Sequence, residues 1–194
     1  MNPANNNISR RKFITLSSMS GAAFTIGFYF PAAGKGIGKI LTGPDADEKG
    51  IELTSWISIN KAGVVTLMNH RSEMGQGSFQ SVPQIIAEEL EVDLDKVKII
   101  FAPGNNKKYG SQITGGSSTI RGSYKTLLRS GATAREMLIA AAAAKWGVPG
   151  TECYAENGMI MHKSTGKKLG YGELVEDAAK LPVPKMVHLK DRED

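Results

Sequence analysis

The sequence predicts an α+β domain: a small mixed sheet with two main helices packed on one side. Three observations carry that expectation. Val64-Val65-Thr66-Leu67-Met68 is dense in β-branched and aliphatic residues, as a buried strand is. Trp56-Ile57-Ser58-Ile59 alternates before it across Asn60-Lys61-Ala62-Gly63, which makes a hairpin. After the hairpin come two runs of helical period, and between them Val97-Lys98-Ile99-Ile100-Phe101 reads as a further strand.

The first helix follows the loop Asn69-His70-Arg71-Ser72-Glu73-Met74-Gly75-Gln76-Gly77. It starts near Ser78 to Ser81, with Val82, Ile85, Ile86 and Leu90 on one face and Glu88, Glu89 and Glu91 on the other. Pro83 is expected in its first turn, where a missing N–H is tolerated. A long loop from Pro103 to Ser123 leads to a second helix over Tyr124–Trp146, whose leucines and alanines 140–144 mark it as a core element. Beyond it, Glu152–Glu156 and Met159–Lys163 form a hairpin around Asn157-Gly158. Tyr171–Ala179 is a short helix ended before Leu181-Pro182-Val183-Pro184, and the rest is a charged tail.

Charge narrows the partners. The net charge is +5, but residues 1–44 hold Arg10, Arg11, Lys12, Lys35 and Lys39 and no acid, so the rest of the chain carries 19 bases against 19 acids. A neutral body removes the electrostatic case for nucleic acid. The single cysteine, Cys153, excludes an internal disulfide or a cysteine-ligated cluster within this chain. Ser9-Arg10-Arg11-Lys12-Phe13-Ile14 before a mildly apolar stretch ending near Phe30 has the layout of a twin-arginine signal. The expected organisation is a signal segment over 1–33, a linker over 34–50 and a folded domain over 51–194. Localisation is then periplasmic, with membrane anchoring if the signal stays uncleaved.

Two loops hold the binding chemistry. Gly75 and Gly77 flank Gln76, so backbone N–H groups can approach a ligand closely while the amide side chain both donates and accepts. Gln112-Ile113-Thr114-Gly115-Gly116-Ser117-Ser118-Thr119-Ile120-Arg121-Gly122 offers hydroxyls, unhindered N–H groups and one guanidinium, an inventory suited to an oxygen-rich ligand. Either loop, taken alone, is also what ordinary structure produces.

Taken together their motifs resemble a known family. Glu73-Met74-Gly75-Gln76-Gly77, Ile86-Ala87-Glu88-Glu89-Leu90-Glu91-Val92-Asp93, Thr114–Ser123, Ala134-Arg135-Glu136-Met137-Leu138, Ala155-Glu156-Asn157-Gly158 and Leu189-Lys190-Asp191 follow one order. That order is similar to the molybdopterin-binding large subunits of the xanthine dehydrogenase/aldehyde oxidase family, of the isoquinoline 1-oxidoreductase type. The resemblance implies a part of a larger molybdopterin-binding lobe, serving a molybdenum hydroxylase of aldehydes or N-heteroaromatics. It implies a molybdopterin cofactor, as the cytosine dinucleotide, contacted by Met74, Gly75, Gln76 and Gly77 and by Thr114, Gly116, Ser117 and Thr119. It also implies the remainder of the subunit as a partner, and a small partner subunit carrying the iron–sulfur clusters.

Members of that family are several times longer, and their catalytic glutamate lies past the equivalent of Asp194. The expectation is therefore a fragment, split-gene product or truncated frame with no catalytic residue and no metal ligand of its own, and with apolar helix surface exposed. The alternative is a non-catalytic exported relic or small-anion-binding module. A nucleotide binder is disfavoured, because neither G-x-x-x-x-G-K-[ST] nor G-x-G-x-x-G is present.

Other residues are expected to be structural. His70 is read as a strand-end histidine with a backbone partner, or else as a cofactor contact. His162, His188 and Cys153 are read as structural, and the acids from Glu88 to Asp95 as a solvated face. Arg121 pairs either with a phosphate or with an acid such as Glu136.

Overall fold

The computed structural model describes residues 50–191; the expected signal and nearly all of the expected linker lie outside the described residues. Among the described residues are seven strands and four helices, in two small sheets. Strands β1 (Ile51–Thr54), β2 (Ile57–Ile59), β3 (Val65–Asn69) and β4 (Lys98–Phe101) form one sheet in that spatial order. The first three are antiparallel and β4 runs parallel to β3, so the sheet is mixed. The period-two pattern is obeyed: Ile57, Ile59, Val65 and Leu67 are buried while Ser58, Thr66 and Met68 between them are half-buried. Asn69 continues the inward face of β3, which puts a polar side chain inside at the strand's end.

Helix α1 (Ser78–Leu90) packs Val82, Ile86, Ala87 and Leu90 into the core that these strands line. It starts directly after Gly77, so Pro83 falls in the second turn rather than the first and removes one ladder bond there. Helix α2 (Asn106–Tyr109) is a single turn inside the expected long loop, with the Asn105 side chain capping Lys108 N–H at 3.1 Å. Helix α3 runs over Ser118–Trp146, 29 residues, and so begins six residues ahead of the expected Tyr124. It crosses α1 at Gly131, where an added Cβ would stand 2.6 Å from the Ile86 carbonyl oxygen and 2.7 Å from Glu89 Cβ. That approach is closed to any larger residue.

The second sheet is an antiparallel meander of β5 (Cys153–Glu156), β6 (Met159–His162) and β7 (Lys168–Gly170). Its hairpin turns on Asn157 (φ 49) and Gly158 (φ 77), both left-handed, as a two-residue type I′ turn requires. Helix α4 (Tyr171–Lys180) follows and buries Tyr171, whose hydroxyl donates to the Leu90 carbonyl at the end of α1 at 2.6 Å.

Other expectations change as well. Trp56 lies in the two-residue turn between β1 and β2 rather than in a strand. β7 is an added strand, and the one expected sheet is two. The acids from Glu88 to Asp95 are not one solvated face: Glu89, within α1, is 3% exposed and accepts from Arg135 Nη1 at 2.9 Å. Glu136 accepts the His188 backbone N–H at 2.6 Å, so it is not the partner of Arg121. No helix among the described residues is long and apolar enough to cross a membrane.

Candidate functional site

The parallel pair β3 and β4 places Asn69 opposite Phe101 at the carboxyl ends of the strands, and Ala102 N–H closes on the Asn69 carbonyl at 2.8 Å. Open sheets bind ligands at such ends. A cleft of about 750 Å³ lies there, walled by Asn69, His70, Arg71, Glu73, Phe101 and Gln112.

Glu73 organises the loop that leaves β3. Its carboxylate accepts the backbone N–H groups of Gly75 (2.7 Å), Gly77 (3.0 Å) and Phe79 (2.7 Å) and the Ser78 hydroxyl (3.1 Å). Those bonds, Phe79 first, hold its pKa down to about 2, so it is ionised across the physiological range and caps the N-terminus of α1. Gly75 (φ 93) and Gly77 (φ 82) are left-handed, with nothing within 4 Å of where a Cβ would be. The conformation requires glycine, and the space beside it is free for a ligand. Met74 is 70% exposed. The Gln76 amide faces its own loop: it donates to the Ser72 carbonyl (2.7 Å) and the Ser78 hydroxyl (2.9 Å) and accepts from Met74 N–H (2.6 Å). A ligand contact by that amide exchanges one of these bonds.

The second loop meets the first. Thr114 donates its hydroxyl to the Ser72 carbonyl at 3.2 Å, the same oxygen that Gln76 uses, and Arg71 Nη1 donates to the Ile113 carbonyl. Gly116 (φ 57) and Ser117 (φ 52) then turn left-handed into α3, whose N-terminus has no side-chain cap. The Gly115 carbonyl takes both the Ser118 N–H (3.2 Å) and the Ser118 hydroxyl (2.8 Å), and the N-cap side chain of Ser117 binds none of the N–H groups that follow. Arg121 reaches the Gly116 carbonyl at 3.4 Å. Seven of the eight residues expected to contact a cofactor thus lie on two loops that are hydrogen-bonded to each other, and the eighth, Thr119, lies in the first turn of α3.

Sequence reasoning passed over the buried polar cluster beneath them. His70 is 4% exposed and its partners are side chains rather than backbone: Nε2 lies 3.0 Å from the Ser123 hydroxyl and accepts Arg71 Nε–H at 3.1 Å. Burial first, then the Arg71 charge, lowers its pKa to about 4, so the ring is neutral. Burial likewise lowers the pKa of Arg71, which is 5% exposed. The available signal was the run Asn69-His70-Arg71, polar residues completing an inward-facing strand. Cys153 is buried in β5, with its thiol pushed up by burial, and His162 is held between Thr165 (2.7 Å) and Glu152 (3.0 Å). Among the described residues no group of three or more His, Cys, Asp or Glu is placed to hold a metal.

Ile85, Ile120, Tyr124 and Leu128 line an open groove of about 340 Å³ between α1 and α3, the exposed apolar helix surface that the sequence leads one to expect. The arrangement suits a large acceptor-rich cofactor. It has glycine turns open to close approach and a helix start without a side-chain cap.

Fold and loops thus define a cofactor-binding module, one wall of a cleft at a sheet's carboxyl edge. Residues 18–193 match the family model described as the molybdopterin cofactor-binding domain, and the chain belongs to that family. It is 33% identical over 126 residues to the isoquinoline 1-oxidoreductase subunit beta of Brevundimonas diminuta, covering 62% of this chain and 16% of that one. It is 30% identical over 190 residues to a membrane-bound aldehyde dehydrogenase of Gluconacetobacter polyoxogenes, covering 91% and 23%; that protein's name specifies pyrroloquinoline quinone. Quinoline 2-oxidoreductase from Pseudomonas putida 86 shares the fold, with a TM-score of 0.51 and 22% identity over 65% of this chain and 16% of that one. The chain spans less than a quarter of the length of these relatives. It is a partial molybdopterin-binding domain of the xanthine dehydrogenase/aldehyde oxidase family.

Proposed function

We propose that this chain supplies one wall of the molybdopterin site in an exported hydroxylase of aldehydes or N-heteroaromatics. The remainder of the subunit and an iron–sulfur partner subunit complete that enzyme. The observation that carries the reading is the junction at the Ser72 carbonyl, where Gln76 and Thr114 converge and tie the two loops together; the neighbouring Ser72, Glu73, Gln112 and Ile113 line the cleft, and the eight assigned residues lie beyond its wall. Met74, Gly75, Gln76 and Gly77 would hold the pterin edges. Thr114, Gly116, Ser117 and Thr119 would hold phosphate oxygens through hydroxyls and N–H groups, with the cytosine dinucleotide as the form bound. When bound, the cofactor supplies two-electron oxidation with oxygen insertion at an electron-poor carbon. The chain's own residues bind and orient it, and Glu73 holds the first loop in the shape that does so. Residues 1–33 serve as the twin-arginine signal, with 34–50 as linker and 51–194 as the domain; the destination is the periplasm, membrane-bound if the signal is retained.

Elemental analysis tests the reading. The chain is purified alone and co-expressed with the remainder of the subunit, and both preparations are assayed for molybdenum and for pyrroloquinoline quinone. Stoichiometric molybdenum in the co-expressed material alone is expected, falling with Gln76→Ala. No molybdenum in either, quinone in its place, or retention unchanged by Gln76→Ala would overturn the assignment of metal or loop.

A further inference from the structure

A second, smaller cavity of about 150 Å³ lies against the same buried cluster, lined by Trp56, His70, Arg71, Ser111, Ser123 and Thr126 among others. Among the described residues no carboxylate lines it, and every polar side chain in its wall carries an N–H or O–H. The buried Trp56 Nε1 and His70 Nδ1 have no partner among the described residues. The tautomer of His70 follows from its neighbour. Arg71 Nε–H donates to Nε2, which must then carry the lone pair, so the neutral ring holds its proton on Nδ1. Both orphans are therefore donors, and neither can satisfy the other. Their rings stand edge to face, 6.4 Å between centroids.

Arg71 adds charge to this surplus. Its bonds run to His70 Nε2, the Ile113 carbonyl and, at 3.5 Å, from Nη2 to the Ser123 hydroxyl; all three partners are neutral, and Nη2 is the least committed. A buried guanidinium without a counter-charge, beside two unmatched N–H groups, calls for an acceptor that is also an anion. Water would satisfy the donors but not the charge.

We propose that this cavity is an oxyanion pocket for a carboxylate or phosphate group, with Arg71, Trp56 Nε1–H and His70 Nδ1–H as its donors. It is separate from the residues assigned to the pterin and does not depend on that assignment. The oxyanion comes either from a phosphate-bearing ligand or from an organic acid.

The test uses the ¹⁵N-labelled 194-residue chain, which has two tryptophans and hence two indole N–H signals. Inorganic phosphate and acetate are titrated separately at constant ionic strength. Trp56 should shift saturably while Trp146, which packs on His162 in β6, stays still. A response to phosphate alone assigns a phosphate-bearing ligand, and a response to acetate an organic acid. Arg71→Gln should weaken binding at least about tenfold, the loss of a charge-assisted hydrogen bond. Because Arg71 also ties the two loops, Trp56→Phe serves as a second variant that keeps an aromatic ring and loses the donor. It should cut the anion-induced rise in Tm several-fold. No saturable shift with either anion, equal shifts of both indoles, or affinity unchanged in both variants would overturn the pocket.

Discussion

Two buried arginines sit at opposite ends of the design. Arg135, 8% exposed, lies in the crossing of α1 and α3. Its Nη1 donates to the Glu89 carbonyl (2.8 Å) and carboxylate (2.9 Å), and its Nη2 to the His188 carbonyl of the tail (2.5 Å). Lys190 N–H closes on the same carboxylate at 3.3 Å. Arg71, 5% exposed, has only neutral partners among the described residues. Equal burial thus hides opposite electrostatics. One charge is neutralised within the chain and straps the tail to the helix pair. The other is left for something the described residues do not contain. A buried charge matched internally marks structure; one left unmatched beside a cavity marks a site.

Substitution separates the two most sharply. Arg135→Met strands Glu89 as a buried unpaired carboxylate and should cost about 3–5 kcal/mol in urea unfolding. The double variant Glu89→Leu/Arg135→Met should recover most of that loss. Arg71→Met removes a charge and strands only neutral acceptors, so about 1–2 kcal/mol is expected. Equal costs would end the distinction.

Acid should act on the open end. His70 titrates at about 4 in the fold against 6.5 unfolded, so between those values the unfolded chain binds the extra proton. Stability is therefore full above 6.5 and falls as the pH drops through the window, by about 3 kcal/mol if the whole shift is realised. His70→Gln should flatten the dependence of the urea midpoint between pH 6.5 and 4. An unchanged slope would mean that His70 is not the buried neutral group described.

The glycines repeat the contrast in steric form. Gly131, one turn before Arg135, has no room: Gly131→Ala must push the helices apart at the Ile86 carbonyl and should lower stability by about 1–3 kcal/mol. Gly75→Ala meets nothing within 4 Å but must hold a φ of 93, so its cost of about 1 kcal/mol is backbone strain alone. Crowding rules at the closed end and conformation at the open one.

These distinctions track what local sequence encodes. The β5–β6 hairpin was legible because Asn157-Gly158 needs no tertiary partner to turn, and the core face of α1 because Val82, Ile86 and Leu90 repeat at helical spacing. The two loops after β3 and before α3 were legible as glycine and hydroxyl runs. The start of α3 was not, since Ser118, Thr119 and Gly122 are weak helix formers and become helical here as the first turns of a long, well-packed helix. Glu89 read as one more surface acid because its partner, Arg135, lies 46 residues on. The cluster of His70, Arg71 and Ser123 escaped for the same reason, its members being 53 and 52 residues apart. Long-range polar pairs leave no periodic trace.

The smallest expected effect is the one that best localises the open end. Glu73 gathers three N–H groups of its own loop and helix start, and its carboxylate titrates at about 2 against 4.5 unfolded. The stability it contributes is present above 4.5 and is lost as the pH falls towards 2, so this loss follows that of His70 on acidification and overlaps little with it. Glu73→Gln keeps the shape and removes the charge that those amides bind. Hydrogen exchange at Gly75, Gly77 and Phe79 should quicken while Ile86 and Leu90, in the body of α1, exchange as before, because the loop opens without unfolding the helix. Faster exchange throughout α1 would show instead that the loop and the closed end are one cooperative unit, and that the two arginines differ in charge balance but not in the structure they hold.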